Sequence, residues 1–421
     1  MSEGQQNWAG NFTYSAEAYH YPETVEQVQA LVTQYDQIKT LGARHSFNKI
    51  ADSTGHMISL KHFKQPPVLD RERQTVTVSA GAKYGHVSQY LNQAGYALHN
   101  MASLPHISVA GACATATHGS GDSNGNLATA VSAVELVTAD GTVHVLSREQ
   151  HVTPFEGMVV GLGGLGVVTK VTLDIIPAFD MRQTVYEQLP VVQLEQHFED
   201  IVSSAYSVSL FTDWQSETIN QAWRKERLSD VTEPTLHPHW YDTTPALEKR
   251  HPIGRLPADN CTVQMGEQKP WHEVLPHFQM DFTPSHGTEL QSEYFVPRHH
   301  AVAAIRAITG LRDHITPQIK ISEIRTIAAD TLWMSPCYKQ PSVALHFTWE
   351  KNWPAVKTIL PLIETALAPF GARPHWGKLF TMPPARLQPL YERLPDFRSL
   401  LHQYDPLGKF RNAFLDTYIF D

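Results

Sequence analysis

The sequence predicts an α+β fold in two domains. Three observations carry that prediction. Strand-like and helix-like periodicities alternate through roughly the first 175 residues. Glycine-punctuated runs interrupt that part of the chain at Leu41–Asn48, Pro105–Gly121 and Gly161–Thr169. From Ala178 onward the texture changes, and strand-like runs alternate with longer irregular stretches.

The elements follow in order. Thr24 is placed to cap a helix whose apolar residues Val25, Val28, Leu31 and Val32 keep helical spacing. Ile38 to Leu41 reads as a short strand leading into the first glycine turn. Thr75 to Ser79 alternates as a strand does. A helix is expected from Tyr84 to Ala94, with Gly95 as its stop. Ser132–Val137 and Thr142–Leu146 flank Asp140-Gly141, a hairpin signal. Val171 to Ile176 reads as a strand ended by Pro177. In the second domain Ser207 to Phe211 reads as a strand, and helices are expected near 298–312 and 353–369. Residues 229–260, rich in Pro, His and Thr, read as an extended surface loop. The tail from Asp405 to Asn412 is glycine-punctuated again.

A chain of 421 residues can bury a large core. Its 42% hydrophobic and 18% charged residues are ordinary for a globular protein. A net charge of -9, with no Lys/Arg run, excludes a nucleic-acid binder and disfavours an anionic membrane surface. No stretch reaches the roughly 20 apolar residues of a membrane helix. The polar N-terminal residues 1–7 lack the apolar core of a secretory signal. Three scattered cysteines, Cys113, Cys261 and Cys337, suggest neither a disulfide framework nor zinc, so a cytoplasmic location is expected. None of the 23 histidines falls into a metal-binding motif, and no metal is expected.

The first two glycine-punctuated runs offer closely spaced backbone N–H groups, which suit a diphosphate. In the first, His45 lies among small and polar residues directly after a strand. Together the two runs resemble the FAD-binding domain of the vanillyl-alcohol-oxidase-like flavoproteins. A longer series of stretches resembles the alditol (xylitol) oxidase family: Asn7–Asn11, His45–Asn48, Asn100–His106, Gln291–Tyr294, Glu323–Thr326, His346–Trp349 and Arg373–Lys378. They occur in order and span nearly the whole chain.

The resemblance implies a flavoprotein whose FAD-binding domain has two α/β subdomains, and whose substrate domain carries a mixed or antiparallel sheet with helices. Residues 1–178 are expected to form the FAD domain, 179–375 the substrate (cap) domain, and 376–421 a C-terminal return. It implies FAD bound covalently, through its 8α-methyl, to His45. Cofactor contacts are expected from Gly42, Ala43, Arg44, Ser46, Phe47, Ser103, Ser108, Gly111, Thr115, Ala116, Thr117, His118 and Gly119, with Val168 toward the adenine. The family often has Ser-Gly or Gly-Gly before the histidine; this chain has Ala43-Arg44. Cys113, Trp8 and Asn11 are expected only to pack.

Glu323 and Arg325 stand two apart, so in a strand they share a face. Two charges buried on one sheet face are costly unless paired or used. The spacing alone is equally compatible with a surface salt bridge, because Ile321, Ile324 and Ile327 do not alternate cleanly. Gly377 before Lys378 permits close backbone approach. By resemblance Ser103, Glu323, Arg325, Thr348 and Lys378 line a polyol site, with His346 and His375 beside it. A catalytic set of Arg325, Lys378, Glu323 and His346 is expected.

The implied reaction oxidises a terminal hydroxyl of an alditol such as xylitol or sorbitol to the aldose. Hydride passes to flavin N5, and O2 becomes H2O2. Ala102, small and beside Ser103, would leave oxygen room near the ring. Lys378, His346 and His375 all remain possible proton acceptors. One alternative is a sugar-1,4-lactone oxidase or dehydrogenase on the same scaffold, which shares the Pro374–Lys378 run. The other is a non-catalytic flavin- or sugar-binding protein, disfavoured by the joint presence of Glu323, Arg325 and Lys378. A monomer is expected, since no apolar helix seam is visible.

Overall fold

The computed structural model describes residues 5–230, 239–281 and 287–421. Four residues of the polar N-terminal stretch, and residues 231–238 of the expected loop, lie outside them.

The first layer is a three-stranded parallel sheet in which His56–Ser59 lies between Ala18–His20 and Ile38–Leu41. Parallel neighbours need a crossover, and the helix Val25–Gln34 supplies it between Ala18–His20 and Ile38–Leu41. Thr24 caps that helix, its side chain accepting from Gln27 N at 3.3 Å. Val28 and Val32 pack with Ile38, Ile58 and Phe63 into a small core.

The second layer is a five-stranded antiparallel sheet, ordered Val68–Asp70, Thr75–Ser79, Val167–Asp174, Val131–Val137, Val143–Ser147. The expected hairpin is present. Asp140 Oδ1 accepts from Thr142 N at 3.0 Å, and Gly141 takes the left-handed turn at φ +83. Two expectations shift. The strand after the third glycine run starts at Val167 rather than Val171, because a Cβ on Gly166 would lie 2.5 Å from Val137 O: the chain is already against its partner there. Pro177 does not end that strand. Ile176–Pro177 forms its own ladder with Tyr96–Ala97.

The third layer is a nine-stranded antiparallel sheet whose strands all lie between Asp180 and Pro374. Its centre runs Thr218–Arg227, Ser207–Thr212, Ile319–Ile327, Ser342–Glu350, Glu289–Pro297. The helices Ala301–Thr309 and Trp353–Leu367 pack against Glu289–Pro297. Tyr294 reaches that side, donating to Glu364 Oε1 at 2.9 Å. Alternation then turns Glu289, Gln291 and Glu293 to the opposite face.

The tail returns to the first layer. Ile38 N bonds Lys409 O at 3.0 Å, and Asn412 Nδ2 donates to Ile50 O at 3.0 Å. Within the expected surface loop, residues 254–257 are exposed while His251 and Pro252 are buried. Gln221 Nε2 donates to His251 O at 2.9 Å, and the segment turns inward to wall the central cavity. Among the described residues no helix is long and apolar enough to cross a membrane.

Candidate active site

A cavity of about 600 Å³ separates the first two layers from the large sheet. One wall holds the His45 loop. Trp8 N donates to Arg44 O at 2.8 Å, Asn7 Nδ2 to Ser46 O at 3.0 Å and Asn11 Nδ2 to Phe47 O at 2.9 Å. The Trp8 indole stacks on the His45 imidazole. From the C-terminal side, Phe47 N donates to Gly377 O at 2.7 Å, and Asn48 Nδ2 to the carbonyls of Trp376 and Lys378, both at 2.7 Å.

The Ala43-Arg44 departure bends this loop. Arg44 adopts φ +65, a left-handed conformation that costs a non-glycine residue on the order of 1–3 kcal/mol. Its guanidinium donates to Gln6 O at 3.2 Å. His45 Nδ1 is buried and has no hydrogen-bond partner. Burial pushes the ring pKa down to about 3, so the imidazole is neutral.

The Ser108 hydroxyl sits between the two runs and accepts from Ala43 N at 3.3 Å. A Cβ on Gly42 or Gly111 would come within 2.8 or 2.7 Å of that oxygen, so a side chain at either position would have to turn the Ser108 hydroxyl away. Thr115, Thr117 and His118 continue the same wall.

The opposite wall is the face of the large sheet. Register places Glu323, His346 and Glu293 side by side on three neighbouring strands. Thr348 and Gln291 form the next row. Glu323, Arg325, His346, Thr348 and Glu293 are all buried, which removes the surface salt-bridge reading. Arg325 donates to Glu293 Oε1 at 3.0 Å and to Ser103 Oγ at 3.2 Å, and its Nε lies 3.4 Å from Glu323 Oε1. His118 Nε2 meets Glu293 Oε1 at 3.0 Å. Its Nδ1 meets Gly119 O at 2.8 Å. His346 Nε2 donates to Gln291 Oε1 at 3.2 Å, and that oxygen also accepts from Lys378 Nζ.

Burial alone would raise both carboxyl groups. His118, His346 and Arg325 outweigh it at Glu293, and Arg325 and His277 at Glu323, so both stay well below the usual carboxylate range. Burial lowers Lys378 to about 8, opposed by Glu293. It lowers His346 and His375 to about 3.

The cavity brings together Gly42, Ala43, Arg44, His45, Ser46, Phe47, Ser103, Ser108, Gly111, Thr115, Thr117, His118, Glu323, Arg325, His346, Thr348 and Lys378. Ala116, Gly119 and Val168 are not on its wall. Ala116 is buried at φ +53 in the turn behind it. Gly119 is packed so closely on Asn100 that a Cβ would lie 2.2 Å from Oδ1. Val168 lines a separate apolar cavity of about 50 Å³ that shares Gly163 with the large one.

Sequence reasoning gave no role to Glu293, Gln291, His277 or Lys225. The alternation Glu289, Gln291, Glu293 in an otherwise buried strand was a legible signal for the first two. His277 sits in a loop with no periodicity, and only three dimensions bring it to Glu323, its Nε2 lying 2.7 Å from Oε1. Among the described residues, no cluster of three or more His, Cys, Asp or Glu could hold a metal ion.

Comparison with known proteins agrees with this geometry. The FAD binding domain family matches residues 16–147, and the D-arabinono-1,4-lactone oxidase family matches residues 171–418. The chain is 46% identical to alditol oxidase from Streptomyces sp. (strain IKD472 / FERM P-14339), over 99% of each chain. It is 25% identical to L-gulonolactone oxidase from Mus musculus, over 99% of this chain and 98% of that one. Among solved structures, cholesterol oxidase from B. sterolicum superposes with a TM-score of 0.77 at 15% identity, covering 99% of this chain and 96% of that one. That likeness is one of fold.

Proposed function

This chain belongs to the FAD-binding oxidase family that takes in alditol oxidase and the sugar-lactone oxidases, and we propose that within it the protein is an alditol oxidase. It oxidises the terminal primary hydroxyl of a polyol such as xylitol or sorbitol to the aldehyde. What supports this most is the facing of the two walls. A neutral imidazole stands on one; on the other, buried Glu323, Arg325, Gln291 and Thr348 with half-buried Lys378 match a ligand made only of hydroxyls.

FAD fits the first wall. His45 is buried and neutral, and its Nδ1 has no hydrogen-bond partner, which leaves a ring nitrogen available for a covalent bond to the flavin 8α-methyl. Gly42, Gly111 and Ser108 leave space for a diphosphate beside the loop, and Ala43, Arg44, Ser46, Phe47, Thr115, Thr117 and His118 surround it. Bound there, FAD supplies the hydride acceptor and hands the electrons to O2 as H2O2.

The chain's residues do the rest. Arg325, fixed between Glu293 and Glu323, holds the reacting hydroxyl oxygen and stabilises its developing negative charge. Of the three candidate proton acceptors, His346 and His375 at about 3 are too weak to keep a proton near neutral pH. Lys378 at about 8 is matched to the task and takes it. Glu323, Ser103 and Thr348 accept from or donate to hydroxyls further along the polyol.

The division into a cofactor part, 1–178 with 376–421, and a cap, 179–375, is supported by the confinement of the large sheet to the cap. A monomer in a reducing, cytoplasmic setting suits the three free, buried cysteines. The second reading, a sugar-lactone oxidase, draws on the family match over 171–418. Peroxide release with xylitol and sorbitol, compared with L-gulono-1,4-lactone, decides between them. Turnover of the lactone alone would replace the first reading with the second.

A further inference from the structure

Beside Glu323 lies a second buried pair the reaction has not used: His277 edges the cavity and Lys225 stands behind it. Lys225, fully buried on Thr218–Arg227, donates from Nζ to Leu275 O at 2.7 Å, to Pro276 O at 2.9 Å and to His277 Nδ1 at 3.1 Å. His277 Nε2 in turn lies 2.7 Å from Glu323 Oε1. We propose that Lys225 and His277 are positioning residues for the substrate site. Their hydrogen bonds fix the imidazole proton on Nε2 and so present Glu323 to the polyol as an oriented, ionised acceptor.

The proton count carries the argument. An ammonium has three N–H donors, and Lys225 has three acceptors around it. His277 Nδ1 must then be the acceptor, which leaves the ring proton on Nε2, aimed at the carboxylate. A neutral Lys225 reverses this. Its lone pair would face Nδ1–H, and a bare Nε2 would oppose Glu323, which could stay only by protonating. The charge on Lys225 and the charge on Glu323 are therefore linked through one imidazole.

The ring is held for this task. It packs edge-on against Trp223, 5.2 Å between centroids, and against Phe211 at 5.5 Å. His277 N donates to Ser103 O at 3.1 Å, tying the same residue to the other expected substrate contact. The groups facing Glu323 are Arg325 on its own strand, His346 on the next, and His277 from the loop, with Lys225 behind. Burial pulls Lys225 down to about 7 and His277 to about 4, so His277 is neutral and acts by orientation, and Lys225 holds the ammonium form the relay needs below about pH 7.

The inference rests on Glu323 binding substrate, and the test separates the two. In the full-length holoenzyme, His277→Gln keeps a donor toward Glu323 and an acceptor toward Lys225; His277→Leu loses both; Lys225→Met frees the tautomer. The assay compound is whichever of xylitol and L-gulono-1,4-lactone reduces the enzyme, so a lactone-only protein refutes the alditol reading and still tests the relay. We expect kcat/KM to fall at least roughly tenfold in His277→Leu and Lys225→Met and to stay within about threefold in His277→Gln. Below the Lys378 limb, log kcat/KM should steepen from a slope of one toward two in His277→Leu as Glu323 begins to protonate, which a merely structural residue would not cause. Nitrogen-15 NMR of histidine-labelled protein, with His277 assigned by its loss in His277→Gln, needs no substrate. It should show the Nε2–H tautomer in wild type and its loss in Lys225→Met. An Nδ1–H tautomer in wild type, or equal losses in the Gln and Leu variants, would overturn the proposal.

Discussion

The indole of Trp8 lies on the imidazole of His45, with 5.2 Å between ring centroids and 20° between planes. The contact holds the ring by one face, while Asn7 and Asn11 clamp the loop just after it at Ser46 and Phe47. We expect His45→Ala to retain no flavin after denaturation, and Trp8→Ala to retain a reduced covalent fraction, read as flavin fluorescence in a denaturing gel. Full covalent incorporation in His45→Ala would remove the tether from the account.

Lys378 gives a pH prediction. Burial lowers its pKa to about 8, and the neutral amine is the form that accepts a proton. The kcat/KM for xylitol should therefore rise with pH and level off above roughly pH 8. Lys378→Met should lose at least about 100-fold and lose that limb. A wild-type profile that falls through the same range would assign the lysine a purely cationic role.

Much of this was legible in sequence. The helix after Thr24, the strand Ile38–Leu41 and the hairpin at Asp140-Gly141 follow local rules of capping, alternation and turn chemistry, and those rules were obeyed. His45, Glu323, Arg325 and Lys378 were found through the family resemblance, and they share one cavity. What sequence could not give was tertiary. Residues 250–260 look polar and irregular, yet hydrogen bonds of Arg250 with Gln264 and of His251 with Gln221 hold the segment against the sheet, where it edges the cavity. Glu293 meets Arg325 and His118, each at 3.0 Å, only because strand register sets it beside His346, one strand from Glu323 and Arg325, and the Pro105–Gly121 run brings His118 against it.

Glu293 supplies a stability prediction. Removing it leaves Arg325 and His118 facing each other across a dry gap. Glu293→Ala should cost about 3–5 kcal/mol, measured by denaturant unfolding. The linkage has a definite sign. The native carboxyl lies well below its unfolded value, so its contribution is complete above the ordinary carboxylate range and is lost progressively as pH falls from that range toward the depressed native value. The drop in Tm between about pH 6 and pH 3 should be smaller in Glu293→Gln than in wild type.

The hydroxyl-binding row predicts a deoxy penalty. A site whose polar groups are buried loses much when a substrate hydroxyl is missing, because its partners are left unpaired. Thr348→Val should raise KM for xylitol roughly tenfold, and a polyol lacking the matching hydroxyl should show a smaller effect of that substitution. Equal effects on both substrates would place Thr348 away from the ligand.

Ala102 lines the cavity beside Ser103. If it leaves the path for oxygen, Ala102→Leu should slow reoxidation of the reduced flavin while leaving the rate of reduction by polyol nearly unchanged. Stopped-flow measurement of both half-reactions separates them, and unchanged reoxidation would remove that role.

The central claim is a flavin reduced by a polyol and reoxidised by oxygen. Purified protein is mixed anaerobically with xylitol, its visible flavin absorbance is followed, and air is then admitted. The account predicts bleaching by xylitol, prompt recovery in air and peroxide in step with it. A yellow protein that xylitol leaves unbleached but L-gulono-1,4-lactone bleaches would contradict it.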